Sequence, residues 1–234
     1  SARGNVQLRG VTPGSHPALI ADLRALDLID ADALAEARRN ILVTPFADAE
    51  TDALAANLAH ALQDAPVLPG KFGFVLDCGP APILAGIAGD IRLERTPDST
   101  LILRADGSPL GQPTTPETAA QDAIALAHWF VTSGGITDGR GRMAALLAKG
   151  HTPPGATHQP APAAPTPTPG LFPQGALVGF EFGQMHADTL SALAQLGPLR
   201  VTPWRMLLIE GATTLPTFPG LILTADNPLL RVEA

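Results

Sequence analysis

One cysteine, Cys78, stands in a chain of 234 residues. It excludes an internal disulfide, and it excludes a four-cysteine zinc or iron–sulfur site built from this chain alone. Lysine is almost as scarce: Lys71 and Lys149 are the two, and the other thirteen of the fifteen basic residues are Arg. No apolar run approaches the roughly 18–20 residues that span a bilayer. His16, His60, His128, His151, His158 and His186 show no metal-ligand spacing. No Gly-x-Ser-x-Gly nucleophile element occurs. Gly139-Arg140-Gly141-Arg142 lacks the Lys-Ser/Thr of a phosphate loop and does not follow a strand pattern. The net charge of −7 argues against a general nucleic-acid surface. Ser1 to Gly4 leads directly into a strand-like run, so no secretory leader is read there and a cytoplasmic location is the expectation.

Proline and glycine are plentiful, at 24 and 23 residues, and they divide the chain into short elements. Asn5 to Arg9 alternates apolar and polar residues as a half-buried strand does. Pro17 to Leu26 has the spacing of a short amphipathic helix. Asp52 to Leu62 is Ala- and Leu-rich and reads as helix. Lys71 to Asp77 reads as a strand, and Ile91–Leu93 and Leu101–Leu103 as two more across a turn at Pro97-Asp98. Thr115-Pro116-Glu117 has the form of a helix start, and Gly134-Gly135 of its end. Arg142 to Lys149 is a short helix stopped at Gly150. Residues 151–170 contain seven prolines and read as an extended linker, expected to be exposed and mobile. Beyond it lie a strand at Ala176–Phe182, a helix at Ala187–Leu196, a strand within Arg200–Glu210 and a last one at Leu221–Thr224. Ser1–Gly10 can also be laid on Thr202–Gly211 without a gap, a faint internal repeat.

Three segments are candidates for chemistry. On a strand, Arg3, Asn5, Gln7 and Arg9 share one face. Such a face suits several carboxylates, and equally suits plain solvation. Arg38-Arg39-Asn40 enters the apolar stretch Ile41-Leu42-Val43, as a binding segment or as a surface loop. Lys71 opens a strand in Leu68-Pro69-Gly70-Lys71-Phe72-Gly73, where a lone lysine is most simply exposed. Cys78 carries no sign of activation and reads as structural.

Taken in order, these segments resemble the signature of the siroheme-containing nitrite/sulfite reductase family. That signature is a Thr/Ser-x-Arg-x-Asn-x-Gln-Leu strand, an Arg-Asn segment leading to a proline turn, then Leu-Pro-x-Lys-Phe. Here they are Ser1–Leu8, Arg39–Pro45 and Leu68–Phe72. Phe182-Gly183-Gln184, Val201–Arg205, Gly220-Leu221-Ile222 and Asp226-Asn227-Pro228 resemble the second half of the precorrin-3B synthase branch. The matches run in one order over nearly the whole chain.

The resemblance implies an α+β fold in which ferredoxin-like half-domain repeats flank a siroheme-binding domain. Its division would be 1–30 (end of the first half-domain), 31–150 (siroheme domain), 151–170 (linker) and 171–234 (second half-domain). It implies a siroheme-type heme and a [4Fe–4S] cluster as cofactors, with Arg3, Arg39 and Lys71 lining the catalytic pocket. Asn5, Gln7, Arg9 and Asn40 would help hold the macrocycle, whose carboxylates need donors in a desolvated cleft. The implied activity is that of an oxidoreductase, a monooxygenase acting on precorrin-3A with dioxygen in cobalamin biosynthesis. An assimilatory nitrite or sulfite reductase is the alternative within enzymes, and a non-catalytic tetrapyrrole-binding scaffold the alternative outside them. No nucleic-acid or membrane partner is implied. The family's reductases carry Lys or Asn two residues after the pocket lysine, where Gly73 stands here. Losing one such donor costs about 2–4 kcal/mol of transition-state stabilisation, which favours the oxygenase branch. The family's leading strand and helix and its two cysteine pairs lie outside this sequence, so a chain shortened at both ends is the expectation.

Overall fold

The computed structural model describes residues 4–30, 32, 36 and 38–230. They form an α+β protein with mixed sheets, divided into two compact units. One unit is Leu8–Ala164; the other takes Pro165 onward together with the residues up to Gln7. No helix among the described residues is long and apolar enough to cross a membrane.

The larger unit opens with helix α1 (His16–Ala25), none of whose residues is buried. Its sheet runs in the order β1 (Ile41–Val43), β2 (Phe74–Asp77), β3 (Ile91–Arg95), β4 (Leu101–Ala105), β5 (Gln112–Pro113). The first three strands are parallel and the last two antiparallel. Parallel neighbours need a crossover. Between β1 and β2 it is α2 (Ala49–Ala61), started by Asp48, whose carboxylate accepts from the Thr51 N–H at 2.8 Å. That capping bond holds the Asp48 pKa below its ordinary value. Between β2 and β3 the crossover is a helix-free loop, 78–90.

Period-2 alternation gives the sheet two different faces. Phe74, Leu76, Ile91, Leu93, Leu101 and Leu103 point to one side. There they pack in a single core with Leu54 and Leu58 of α2 and with Ala123, Ile124, Ala127 and Phe130 of α3 (Ala119–Thr132). Phe72 joins this core with its ring centroid 4.8 Å from that of Phe130, a separation at which aromatic pairs add to simple area burial. Met143 and Leu146 of α4 (Met143–Leu147) close it.

The smaller unit is an antiparallel sheet, β10 (Leu221–Ile222), β7 (Gly175–Phe180), β9 (Met206–Glu210), β8 (Leu199–Val201). Strand β6 (Gly170–Phe172) pairs with the first half of β7, and β10 pairs with its end. Helix α5 (Ala187–Ala194) sets Leu190 and Leu193 against Ala176, Val178, Phe180, Leu207 and Ile209.

Several expectations need correction. Residues 5–9 form no strand, and Val6, Leu8 and Arg9 are exposed. Alternation is only permission to pair; a strand also needs a neighbour to complete its ladder. The faint repeat weakens accordingly, because Met206–Glu210 is a central strand and its counterpart is not. Helix α3 begins at Ala119 with Thr118 as N-cap, later than the Thr115-Pro116 pattern indicated. Asp122 accepts from both the Thr114 hydroxyl (2.6 Å) and the Thr118 hydroxyl (3.0 Å), and so gathers the preceding turn.

The proline-rich stretch is not exposed throughout. The amides between its prolines are used: His158 bonds with Gly111, Ala161 donates to the Arg95 carbonyl and Ala164 to the Pro82 carbonyl. Ala161 is buried, and so are Pro167 and Pro169. Proline supplies no donor, but alternate residues here supply enough to strap 157–164 onto the larger unit.

Candidate functional site

Because β1, β2 and β3 are parallel, their starts lie along one edge of the sheet. Arg38-Arg39-Asn40 leads into β1, Lys71-Phe72-Gly73 into β2 and Gly89-Asp90 into β3. Register pairs Ile41 with Phe74 and Phe74 with Ile91. Two of the expected binding segments, far apart in sequence, therefore become neighbours. The Asn40 amide donates to the Phe72 carbonyl at 2.7 Å across a separation of 32 residues, and the Phe74 N–H returns to the Asn40 carbonyl at 2.9 Å.

Each residue at this edge has a defined setting. Lys71 is exposed on the turn before β2. Arg39 is ion-paired with Asp30 at 2.7 Å and Glu36 at 3.4 Å. The hydrogen bond to Asp30 raises its pKa further, against partial desolvation. The neighbouring Arg38 donates to the Gln63 carbonyl at 3.1 Å. Asp90 is fully buried and ties the edge together. Its carboxylate accepts from Gly73 N–H at 3.0 Å, Arg142 Nε at 2.9 Å and Met143 N–H at 2.8 Å. Burial pushes the Asp90 pKa up against the pull of these donors.

Gly73 has a packing reason. A Cβ at this position would lie 3.0 Å from Asn40 Nδ2. Gly73→Ala is expected to cost about 1–2 kcal/mol, through crowding and a weakened Asn40–Phe72 bond. Chemical denaturation of Gly73→Ala, Asn40→Ala and the double variant checks it. The alanine penalty should shrink once Asn40 is truncated; an unchanged penalty would locate the strain elsewhere.

The remaining expected site residues are distributed differently. Arg3 lies outside the described residues. Asn5 and Gln7 belong to the unit that contains 165–234, whereas Arg9, Arg39, Asn40 and Lys71 belong to the other. Arg9 is exposed on an irregular segment.

The other face of the sheet carries a buried charge network that sequence reading missed. Arg92 pairs with Asp106 at 2.5 Å and with Glu94 at 3.8 Å, and also donates to the carbonyls of Leu84 (3.2 Å) and Ile87. Arg104 grips Glu94 through two bonds of 2.7 and 2.9 Å. Asp77, cross-strand neighbour of Glu94, accepts from the Leu84 N–H at 2.6 Å through one oxygen. Its other oxygen, Oδ1, is buried without a hydrogen-bond partner. Two guanidinium groups thus face three carboxylates, and Asp77 is the one with no ion pair. Burial raises its pKa to about 6, with a further push from Glu94. The alternation Arg92-Leu93-Glu94 leaves open whether its polar face meets water; loop 78–90, whose Leu84 and Ile87 carbonyls accept from Arg92, makes it an interior one. The signal available was Ile102, an apolar residue on that same face.

Cys78 is buried, its Sγ 3.6 Å from the Leu93 carbonyl, and burial pushes its thiol up to about 12. Such a thiol stays protonated and is a poor metal ligand, so the described residues do not fit an iron–sulfur cluster. No group of His, Cys, Asp and Glu among them is arranged to hold a metal ion. The cations and amide at the strand starts are the donor types that a ligand with many carboxylates requires. No family model and no curated protein matches this chain.

Proposed function

We propose that the chain is the tetrapyrrole-binding part of a precorrin-3B synthase-type oxidoreductase of cobalamin biosynthesis. Its substrates would be precorrin-3A and dioxygen, giving a hydroxylated ring closed as a lactone. One oxygen atom enters the substrate and the other leaves as water, with two electrons and two protons from an external donor. The observation that carries the reading is the meeting of Arg39-Asn40 and Lys71 at adjacent parallel strand starts, in a chain whose motifs follow the family's order. Lys71 and Arg39 would hold carboxylates of a siroheme-type macrocycle, Arg39 by exchanging Asp30 and Glu36 for them, and Asn40 would keep the edge in register. When bound, the heme supplies the redox chemistry; the protein supplies binding and orientation. The same reading takes the smaller unit as a ferredoxin-like half-domain and the protein as cytoplasmic.

Siroheme titrated into the 234-residue chain should give a saturable Soret shift. Lys71→Ala and Arg39→Ala should each weaken it about tenfold, the scale of one charge-assisted contact. Absence of saturable binding, or binding indifferent to both variants, overturns the site. Gly73 favours the oxygenase over the reductase. Rapid sulfite or nitrite reduction by the full-length holoenzyme, without turnover of precorrin-3A, would transfer the assignment to the reductase alternative.

A further inference from the structure

Loop 78–90 contains no helix and no strand, yet it covers the charged face of the larger unit's sheet. Its two ends are pinned. Arg95 Nε donates to the Cys78 carbonyl at 2.9 Å, and Arg142 Nη2 donates to the Gly89 carbonyl at 2.8 Å. Gly89 also lies close against β2, where a Cβ would come within 2.7 Å of Val75 Cγ2. Between these ends the loop is seated on the sheet by two charged side chains. Asp77 accepts from the Leu84 N–H, and Arg92 donates to the carbonyls of Leu84 and Ile87. A third hold comes from the proline-rich strap, whose Ala164 N–H donates to the Pro82 carbonyl at 2.8 Å. Leu84 is fully buried and anchors the centre, while Ala85, Gly86 and Ala88 beyond it are exposed.

One of the two charged seats is incomplete. Asp77 is 1% exposed, and its Oδ1 is buried with no hydrogen-bond partner among the described residues. An ionised carboxylate in that setting lacks water without gaining a full set of partners. The nearby cations are committed elsewhere: Arg92 to Asp106 and Glu94, and Arg104 to Glu94. Those pairs lie on β3, on β4 and on the residue that follows β4, so they survive when the loop lifts. Lifting therefore hydrates the one unpaired carboxylate and strands no other charge. It costs the burial of Leu84, which holds the loop closed when Asp77 is neutral.

We infer that loop 78–90 is a pH-sensitive cover, closed over the Arg92–Glu94–Arg104 face while Asp77 is protonated and freed to open when Asp77 ionises. The groups facing Asp77 are Glu94 and Arg92 on β3 and the Leu84 and Ile83 N–H groups of the loop; Asp106 and Arg104 are held in their pairs with Arg92 and Glu94. With the loop closed, burial and Glu94 raise the Asp77 pKa from 3.8 to about 6. Water restores the ordinary value once the loop opens. The closed form thus holds its proton more tightly than the open form. Its advantage is complete below about pH 4, shrinks as pH rises, and levels off above about pH 6. That gap makes the opening equilibrium roughly a hundredfold more favourable at neutral pH than at about pH 4.

Amide hydrogen exchange of the full chain, corrected for the intrinsic rate at each pH, tests the cover. The Leu84 amide reports the loop and the Leu103 amide the sheet core. Between about pH 4 and about pH 7.5 the Leu84 opening constant should rise roughly a hundredfold. At the higher pH it should be nearly independent of low urea, whereas that of Leu103 should rise steeply, because local opening exposes little surface and global unfolding much. Asp77→Asn keeps an acceptor for the Leu84 N–H and cannot ionise, so its rise should stay below about threefold. A Leu84 constant that ignores pH in the parent, or that rises as much in Asp77→Asn, overturns the inference. So does a Leu84 constant equal to that of Leu103 with the same urea slope, since the loop would then open only when the whole unit unfolds.

Discussion

Replacing Asp90 with alanine is expected to cost the larger unit about 3 kcal/mol or more. Three donors converge on this one buried carboxylate: the N–H groups of Gly73 and Met143 and Nε of Arg142. Removing it leaves two backbone donors with no acceptor, each at a cost of about 1–3 kcal/mol. Arg142 is 36% exposed at its side chain, so it can turn to water and adds less than a fully buried partner would. Urea unfolding measures the loss. Asp90→Asn retains one good acceptor and should lie between the two. Hydrogen exchange supplies the local readout, since the Gly73 amide should lose protection before that of Leu103, in the sheet core. A change below about 0.5 kcal/mol in Asp90→Ala, the size of an ordinary surface substitution, would show that the edge is held by the strand ladder alone.

Asp77→Asn is expected to stabilise the protein, and to do so in a pH-dependent way. A carboxyl raised from 3.8 to about 6 binds its proton more tightly folded than unfolded. Below about pH 4 it is protonated in both states and the variant and parent should be alike. As pH rises through the interval to about 6, the parent loses stability relative to the variant, because the folded state retains protons that the unfolded state releases. Above that interval the difference levels off at roughly 3 kcal/mol, less whatever the asparagine amide fails to satisfy. The groups facing Asp77 are Glu94 and Arg92 on β3, with the Leu84 and Ile83 N–H groups on the covering loop. Glu94 and the burial push its pKa up, while Arg92 and the two N–H groups pull it down. Unfolding midpoints of both proteins at about pH 4 and pH 7.5 test it; a gap that is constant, or that closes with rising pH, contradicts the assignment.

The candidate site was legible in part. Arg39, Asn40 and Lys71 stand beside apolar runs, and polar residues bordering a buried strand mark where a sheet edge can present them. That they become neighbours follows from the parallel pairing of Ile41 with Phe74, which no local pattern encodes. Asp90 was illegible because its role lies in three donors from distant segments. Asp77, Arg92 and Glu94 were missed for the opposite reason: their alternation is clear, and alternation does not say whether water or a loop lies outside.

The sequence by itself determined the type and approximate position of most elements. Leu54 and Leu58 already mark the buried side of α2, and Phe74 and Leu76 that of β2, since periodicity is a local property of the chain. Cys78 alone limits thiol chemistry within it. Tertiary structure decided which alternating run became a strand: residues 206–210 pair with β7 and β8, and residues 5–9 form no strand. It also decided that loop 78–90 seals a charged face and that the proline-rich stretch straps down through its non-proline amides. The reason is the same throughout. Ladder pairing, desolvation and close backbone approach are set by residues distant along the chain, and they act only once the fold has brought those residues together.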